Sequence, residues 1–279
     1  MACAAGRQAG IMQAVHASNG GSLMSDSVHA AARQGFEKQA SAYARGRPDY
    51  PAALGGWLRD ALALCPGRTV ADVGAGTGKF TPLLTATGAE VIAVEPVAAM
   101  RAQLAAAQPG VRALPGTADA LPLPNAALDA VVCAQAFHWF ATRAALDEFA
   151  RVLKPGGRLG LVWNVRDESV DWVTALTRIV TPHEGDAPRF YKGSWRQAFP
   201  HPAFGPLHES VFEYVHEGPP QQVIVDRFLS VSFIAALPAA EQARVRAQIE
   251  ALIDSHPALR GQAVVRFPYR TRAFAGVRR

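Results

Sequence analysis

The sequence is poor in cysteine and in charge, and it lacks long apolar runs. Its three cysteines, Cys3, Cys65 and Cys133, stand far apart and have no paired spacing typical of a zinc or redox site. Charged residues make up only 18% of the chain and hydrophobic residues 49%, which excludes a disordered or fibrous protein. No run of about 18 uninterrupted apolar residues occurs, so we expect no membrane span. A reduced, cytoplasmic protein is the expectation.

A basic stripe of the kind that binds nucleic acid is also missing. The net charge is +5 and the pI is 9.4, but the arginines and lysines are scattered along the chain. We therefore expect no nucleic-acid partner. The cysteines and histidines do not cluster, so we expect no metal site either.

The chain is predicted to form one domain after an N-terminal tail. Residues 1–28 are rich in Ala, Gly, Ser and Gln, with polar residues that interrupt any signal-peptide core. We expect this stretch to be a poorly ordered tail. Alternatively, the start codon is assigned too early and translation begins near Met24. Residues 29–279 are predicted to be a single domain, monomeric or homodimeric.

Short apolar strands alternate with helical segments from residue 68 onward, which is typical of βαβ units in a parallel sheet. Five strands are predicted, at residues 68–73, 90–94, 111–114, 128–133 and 158–163. Two more strands, at 207–215 and 263–269, are predicted to pair antiparallel at one edge of the sheet. Two helices are predicted between these strands, at 222–237 and 239–255. The fold class is therefore α/β: a Rossmann-like, doubly wound, seven-stranded sheet, mostly parallel, with an antiparallel edge strand and helices on both faces.

A glycine turn follows the first strand. Gly74, Gly76 and Gly78 occupy every second position after Asp72, so the backbone can approach a ligand closely and the helix start offers amide donors. The dinucleotide-binding fingerprint is Gly-x-Gly-x-x-Gly, so after Gly74 and Gly76 it requires a third glycine at position 79, where this chain has Lys79. The spacing therefore disfavours NAD and FAD.

An acid ends the second strand. Glu95 comes about 20 residues after the first glycine, where such folds place a carboxylate against ribose hydroxyls. The alternative is a surface acid that stabilises a helix start through the helix dipole.

Five ordered motifs together resemble the class I S-adenosylmethionine-dependent methyltransferases, and within them the small-molecule branch of trans-aconitate-type enzymes. The motifs begin at Asp72, Glu95, Gly116, Ala134 and Arg151, and the similarity covers residues 36–165. The resemblance implies that S-adenosylmethionine is the cofactor and that S-adenosylhomocysteine is the product.

The resemblance also implies a cofactor site. Asp72 and the glycine turn would hold the methionine part, Glu95 the ribose, and Ala118 and Asp119 the adenine, although Asp119 could instead cap a short turn. The full predicted cofactor set comprises Tyr43, Arg47, Asp72, Gly74, Ala75, Gly76, Thr77, Gly78, Glu95, Pro96, Ala118, Asp119 and Gln135.

The segment 36–60 resembles an N-terminal cap of the same branch, preceding a cofactor-binding core at 61–165. The resemblance implies that Arg47 lies near the cofactor carboxylate and Tyr43 near the sulfonium, where a cation–π contact is favourable. The alternative is an amphipathic helix end packed by tyrosines. Residues 165–208 then form an aromatic-rich insertion, which we expect to form a lid or one wall of the substrate site.

Four residues after the fourth and fifth strands are predicted to bind the acceptor: His138, Trp139, Trp163 and Arg166. His138 is the candidate catalytic residue together with Tyr43, as a general base or as a ligand of a substrate oxygen. Equally, it could only pack beside Trp139. Arg166 could bind a carboxylate by two hydrogen bonds, or it could be a solvated loop arginine.

The predicted activity is methyl transfer to an oxygen or nitrogen of a small-molecule acceptor, with a carboxylate as one candidate. Two alternatives stay open: a cofactor-binding regulatory protein of the same fold that has lost catalysis, and an NAD-dependent oxidoreductase on a similar sheet.

Overall fold

One seven-stranded sheet forms the centre of the protein, in a computed structural model that describes residues 47–279. The strand order across the sheet is β3-β2-β1-β4-β5-β7-β6. The strands are β1 Thr69–Val73, β2 Glu90–Val94, β3 Arg112–Leu114, β4 Leu128–Ala134, β5 Leu153–Arg166, β6 His208–Gly218 and β7 Val265–Val277.

Strand directions confirm the predicted topology. Strands β1 to β5 run parallel to one another, and β7 pairs antiparallel with both β5 and the edge strand β6. The chain order reverses between β1 and β4, so the carboxyl ends of these two strands flank the ligand crevice of such sheets. The closing strand is predicted over 263–269, but it continues to Val277 because residues 269–277 pair with β5 as well.

Helices cover both faces of the sheet. They are α1 Leu54–Asp60, α2 Thr81–Thr85, α3 Ala98–Ala107, α4 Arg143–Val152, α5 Asp171–Val180, α6 Arg227–Leu229, α7 Ser232–Ala235 and α8 Ala239–Ser255. Side chains of a strand alternate between the two faces. Accordingly, Val70 of β1 packs with α1, α2 and α3, whereas Ala71 packs on the opposite face with α4.

A separate apolar cluster lies beside the end of the sheet. It joins α5 and α8 to the chain between β6 and α8, through residues such as Leu176, Phe228 and Ile249. The single helix predicted over 222–237 is wrong. The chain there forms a π-helix at Gln221–Asp226 and the short helices α6 and α7, separated at Val231, whose backbone is extended.

Parts of the predicted domain division lie outside the described residues. These are the tail at 1–28 and the first part of the cap, up to residue 46. The described part of the cap contains α1. Within residues 47–279, no helix is long and apolar enough to cross a membrane.

A buried carboxylate ties three parallel strands together at the end opposite their carboxyl termini. Asp129 of β4 accepts hydrogen bonds from the Arg68 guanidinium (2.8 Å), the Thr69 amide (2.9 Å) and the Lys154 ammonium (2.9 Å). Burial alone would raise the pKa of this carboxyl, but the hydrogen bonds from Lys154, Thr69 and Arg68 outweigh it and the pKa is lowered.

We predict that Asp129→Asn lowers the free energy of unfolding by about 1 to 3 kcal/mol, the usual cost of losing charged hydrogen bonds at a buried site. The loss should be present near neutral pH and vanish as the pH falls through the lowered pKa, because the wild-type carboxyl is then protonated too. Urea unfolding at several pH values measures it. The exposed Asp60→Asn is the control, and an equal loss in both variants would contradict the prediction.

Candidate active site

The glycine turn brings the carboxyl ends of β1 and β4 into contact. Gly74 has a φ of +70°, and a Cβ added there would lie 2.7 Å from the Cβ of Ala136, in the loop after β4. Its amide donates to the carbonyl of Val94 at the end of β2 (2.8 Å). Only glycine fits this position, because any side chain would push the two loops apart.

A cavity of about 400 Å³ opens at this edge of the sheet. It lies over the ends of β1, β2 and β4 and beside the loop at residues 116–119. Eleven of the predicted cofactor residues line it: Arg47, Asp72, Gly74, Ala75, Gly76, Thr77, Glu95, Pro96, Ala118, Asp119 and Gln135.

Two predicted cofactor residues are not among those that line the cavity. Tyr43 lies outside the described residues. Gly78 faces the protein interior, where a Cβ would lie 2.9 Å from Cγ of Leu104 in α3. Close packing of helix against turn is therefore the structural reason for this glycine.

Asp72 is buried at the floor of the cavity and is 1% exposed. One carboxylate oxygen accepts from the Thr81 hydroxyl (2.8 Å), and the other has no hydrogen-bond partner among the described residues. Burial raises the pKa of Asp72 to about 7, helped by the nearby charge of Glu95 and opposed by the Thr81 hydrogen bond. The buried hydroxyl of Thr77 is likewise without a partner there. These two atoms fit a polar ligand that brings hydrogen-bond donors and acceptors.

Glu95 closes the glycine turn from the second strand. Its carboxylate accepts from the amides of Gly76 and Val97, both at 2.8 Å. Burial raises the pKa of Glu95, and the two amide hydrogen bonds oppose that rise. A carboxylate has about four lone-pair positions, so two remain for a ligand hydroxyl pair.

A smaller recess of about 80 Å³ adjoins the cavity. We call it the arginine recess, after Arg47, Arg166, Arg189 and Arg227. All four acceptor residues predicted from sequence line it, namely His138, Trp139, Trp163 and Arg166. Arg47 and Arg227 line both the recess and the cavity, so the two spaces lie side by side.

The arginine recess carries excess positive charge. Arg166 is 3.9 Å from Glu168 and Arg189 is 3.8 Å from Glu184, but Glu184 also pairs with Lys192 at 2.8 Å. Burial and neighbouring arginines lower the pKa of Arg189 to about 10 and lower that of Arg166 as well. The Arg166 side chain is only 11% exposed, so it is not a solvated loop arginine.

Sequence reasoning missed Arg189 and Arg227. Arg189 comes from the aromatic-rich insertion, and Arg227 begins α6, far along the chain. Arg227 is 5% exposed, and its Nε and Nη1 have no hydrogen-bond partner among the described residues. The aromatic composition of the insertion was the one available signal, because Phe190 and Tyr191 also line the recess.

His138 is buried in a short 3₁₀ helix at Phe137–Trp139. Its Nδ1 accepts a hydrogen bond from the indole N–H of Trp163 (3.0 Å), and its ring lies 5.2 Å from that of Trp139. Burial, together with the positive charges of Arg189 and Arg47, holds the pKa of His138 well below its ordinary value.

Asn164 ties the chain before α1 to the sheet. Its amide donates to the carbonyl of Asp49 (2.8 Å), and its side-chain oxygen accepts from the Thr271 hydroxyl of β7 (2.6 Å). The Asp49 carboxylate pairs with Lys79 (2.7 Å), and Arg47 donates to the carbonyl of Ser230 (3.1 Å). Residues 47–50 are therefore held over the cavity.

Among residues 47–279, no group of three or more His, Cys, Asp or Glu side chains is arranged to hold a metal ion.

Comparison with known proteins gives consistent matches. Residues 71–161 match a family described as a methyltransferase domain. An uncharacterised methyltransferase-like protein of Schizosaccharomyces pombe is 35% identical over 241 residues, covering 86% of this chain and 94% of its own. An uncharacterised methyltransferase of Mycobacterium tuberculosis is 40% identical over 236 residues, covering 85% of this chain and 92% of its own.

A solved structure agrees with this assignment. A proposed type II methyltransferase from Anaeromyxobacter dehalogenans has 26% sequence identity and a TM-score of 0.59, covering 83% of this chain and 96% of its own. The glycine turn, the two buried acids and these relatives lead to one conclusion: the chain belongs to the class I S-adenosylmethionine-dependent methyltransferases.

Proposed function

We propose that the protein transfers a methyl group to an oxygen of a small anionic acceptor, of which a carboxylate is the simplest. The observation that carries the proposal is the arginine recess, a set of four guanidinium groups that adjoins the cofactor cavity. Guanidinium binds carboxylate through two parallel hydrogen bonds. A nitrogen acceptor fits less well, because an amine is protonated near neutral pH and the arginines would repel it.

Within this proposal, the large cavity holds S-adenosylmethionine. Asp72 would bind the amino group of its methionine part, Glu95 the ribose hydroxyls, and Ala118 and Asp119 the adenine, as the family resemblance implies. The partnerless oxygens of Asp72 and Thr77 and the cradle at Gly74 support this placement. When bound, the cofactor supplies a methyl group attached to a positively charged sulfur. The sulfur is the leaving group and becomes the neutral thioether of S-adenosylhomocysteine.

The protein's own task is then alignment and exclusion of water. A carboxylate is ionised near neutral pH, so no residue has to remove a proton from it. The arginines orient the acceptor next to the cavity, and residues 47–50 cover it, which keeps water from competing. The predicted role of Tyr43 beside the sulfonium stays a prediction, as does that of residues 165–208 in choosing the acceptor.

Cofactor affinity is expected to depend on the protonation of Asp72. As the pH falls through about 7, the Asp72 carboxyl takes up a proton and loses its attraction for the cofactor's amino group. We predict that affinity for S-adenosylhomocysteine falls with it, and that Asp72→Asn binds about tenfold or more weakly, without this pH dependence. Titration calorimetry over a pH series measures both. The exposed Asp254→Asn should match wild type, and a flat wild-type profile would contradict the prediction.

Acceptor binding is expected to depend on Arg189, which lines the recess and not the cavity. We predict that Arg189→Gln raises the KM for carboxylic acid acceptors about tenfold or more, since a charged hydrogen bond is lost. Its affinity for S-adenosylhomocysteine should stay at the wild-type value. Release of S-adenosylhomocysteine across a panel of carboxylic acids, phenols and amines is the assay.

The matched control for Arg189 is Arg196→Gln. Arg196 stacks on Trp195, 4.5 Å from the ring centre, and does not line the recess. Equal effects of the two variants, or activity of the wild type on amines alone, would refute an anionic oxygen acceptor.

A further inference from the structure

The hydrogen bond between Trp163 and His138 determines which imidazole nitrogen carries the proton. An indole N–H is a donor and has no acceptor atom. Since Trp163 Nε1 lies 3.0 Å from His138 Nδ1, Nδ1 is the accepting, unprotonated nitrogen. In a neutral imidazole the proton is then on Nε2.

The donor cannot easily move away from this position. Trp163 is 1% exposed and its ring is surrounded by three aromatic side chains, with centroid distances of 4.9 Å to Phe190, 4.8 Å to Trp195 and 5.8 Å to Phe274. His138 itself is 9% exposed and is held in the 3₁₀ helix after β4. Close packing therefore fixes both partners of the hydrogen bond.

The charges around His138 oppose a second proton on the ring. Burial lowers the pKa of His138 most, and the guanidiniums of Arg189 and Arg47 lower it further. Of the two acids near the recess, Glu168 pairs with Arg166, and Glu184 pairs with Arg189 and Lys192. The imidazole therefore stays neutral near physiological pH.

We propose that Trp163 is a positioning residue that locks His138 as its Nε2–H form, and that His138 donates this hydrogen to the acceptor oxygen instead of removing a proton. The inference rests on the proposed function, because it concerns the acceptor bound in the arginine recess. It decides between two roles that the sequence left open for His138. Both of its ring nitrogens are committed in this state, so neither can act as a general base.

This arrangement contributes to acceptor selection. Guanidinium N–H groups and the imidazole Nε2–H are all donors. An acceptor atom that brings lone pairs and no proton satisfies them, whereas a phenol must first lose its proton without help from His138. Carboxylates are therefore favoured over phenols of the same size.

The first test reads the proton position directly, in wild-type protein bound to S-adenosylhomocysteine. Nitrogen-15 NMR of histidine-labelled protein should show His138 with Nε2 protonated and Nδ1 unprotonated from about pH 6 to about pH 9, a range in which a free histidine titrates. His138→Gln identifies the signal by its loss. A proton on Nδ1, or titration of His138 within that range, would overturn the proposal.

The second test removes only the indole donor. Trp163→Phe keeps an aromatic ring, and we expect the His138 proton to distribute over both nitrogens, with kcat/KM for a carboxylate acceptor lowered about tenfold. Trp195→Phe is the matched control: Trp195 belongs to the same aromatic cluster, and its indole donates to the Phe190 carbonyl (3.2 Å). Unchanged proton position and rate in Trp163→Phe would also overturn the proposal.

The third test separates donor from base. The amide of Gln can donate where Nε2–H does, so His138→Gln should retain much of the activity, whereas His138→Leu should lose about tenfold or more. A wild-type rate that rises with pH along a histidine titration, and becomes flat in His138→Gln, would instead show a base. The binding of S-adenosylhomocysteine to wild type and to each variant is measured by calorimetry. If wild type does not bind it, the proposed function fails, while the proton position on His138 can still be measured in the free protein.

Discussion

The site depends on one steric constraint, the close approach of the glycine turn after β1 to the loop after β4. A Cβ on Gly74 would lie only 2.7 Å from the methyl group of Ala136. This contact brings Asp72 and Gln135 to the same cavity, and within the turn the Gly76 amide donates to the Glu95 carboxylate. The parallel sheet supplies the frame, but the absence of one side chain decides how closely its ends converge.

Charge is separated across the site. Two buried acids line the large cavity, and four arginines line the adjoining recess, of which Arg47 and Arg227 also reach the cavity. Burying charged carboxylates or charged guanidiniums costs free energy. Burial therefore raises the pKa of Asp72 to about 7 and lowers that of Arg189 to about 10. A cationic cofactor and an anionic acceptor would relieve both sets at once, so their binding is expected to be mutually favourable.

Local patterns predicted most of the residues that line the large cavity, because these lie at the end of a strand or a few positions after it. Arg47 is the exception, since it precedes α1 and was expected there only through the family resemblance. Glu95 ends β2 and Gln135 follows β4, so sequence order translates directly into position. The lining of the arginine recess could be predicted only in part. Arg189 and Arg227 come from irregular segments that reach the recess through tertiary packing, for which one sequence offers no periodic signal. The hydrogen bond from Trp163 to His138 joins residues on different elements, and it depends on side-chain orientation that a pattern does not encode.

The helix predicted at 222–237 failed for a related reason. Its apolar spacing was real, since Val223, Phe228 and Ile234 are all buried. Packing against α8 and β7 is satisfied by short helical turns instead of one straight helix, so burial was predictable while continuity was not.

The ties on residues 47–50 have a kinetic consequence. This segment is anchored to β5 through Asn164, to the glycine turn through Lys79, and to the chain before α7 through the carbonyl of Ser230. Arg47, Pro48 and Tyr50 also line the cavity, so under the proposed function residues 47–50 would cover the bound nucleoside. On that proposal, we expect product release to require these contacts to break, so hydrogen bonds distant from the methyl group would contribute to the turnover rate.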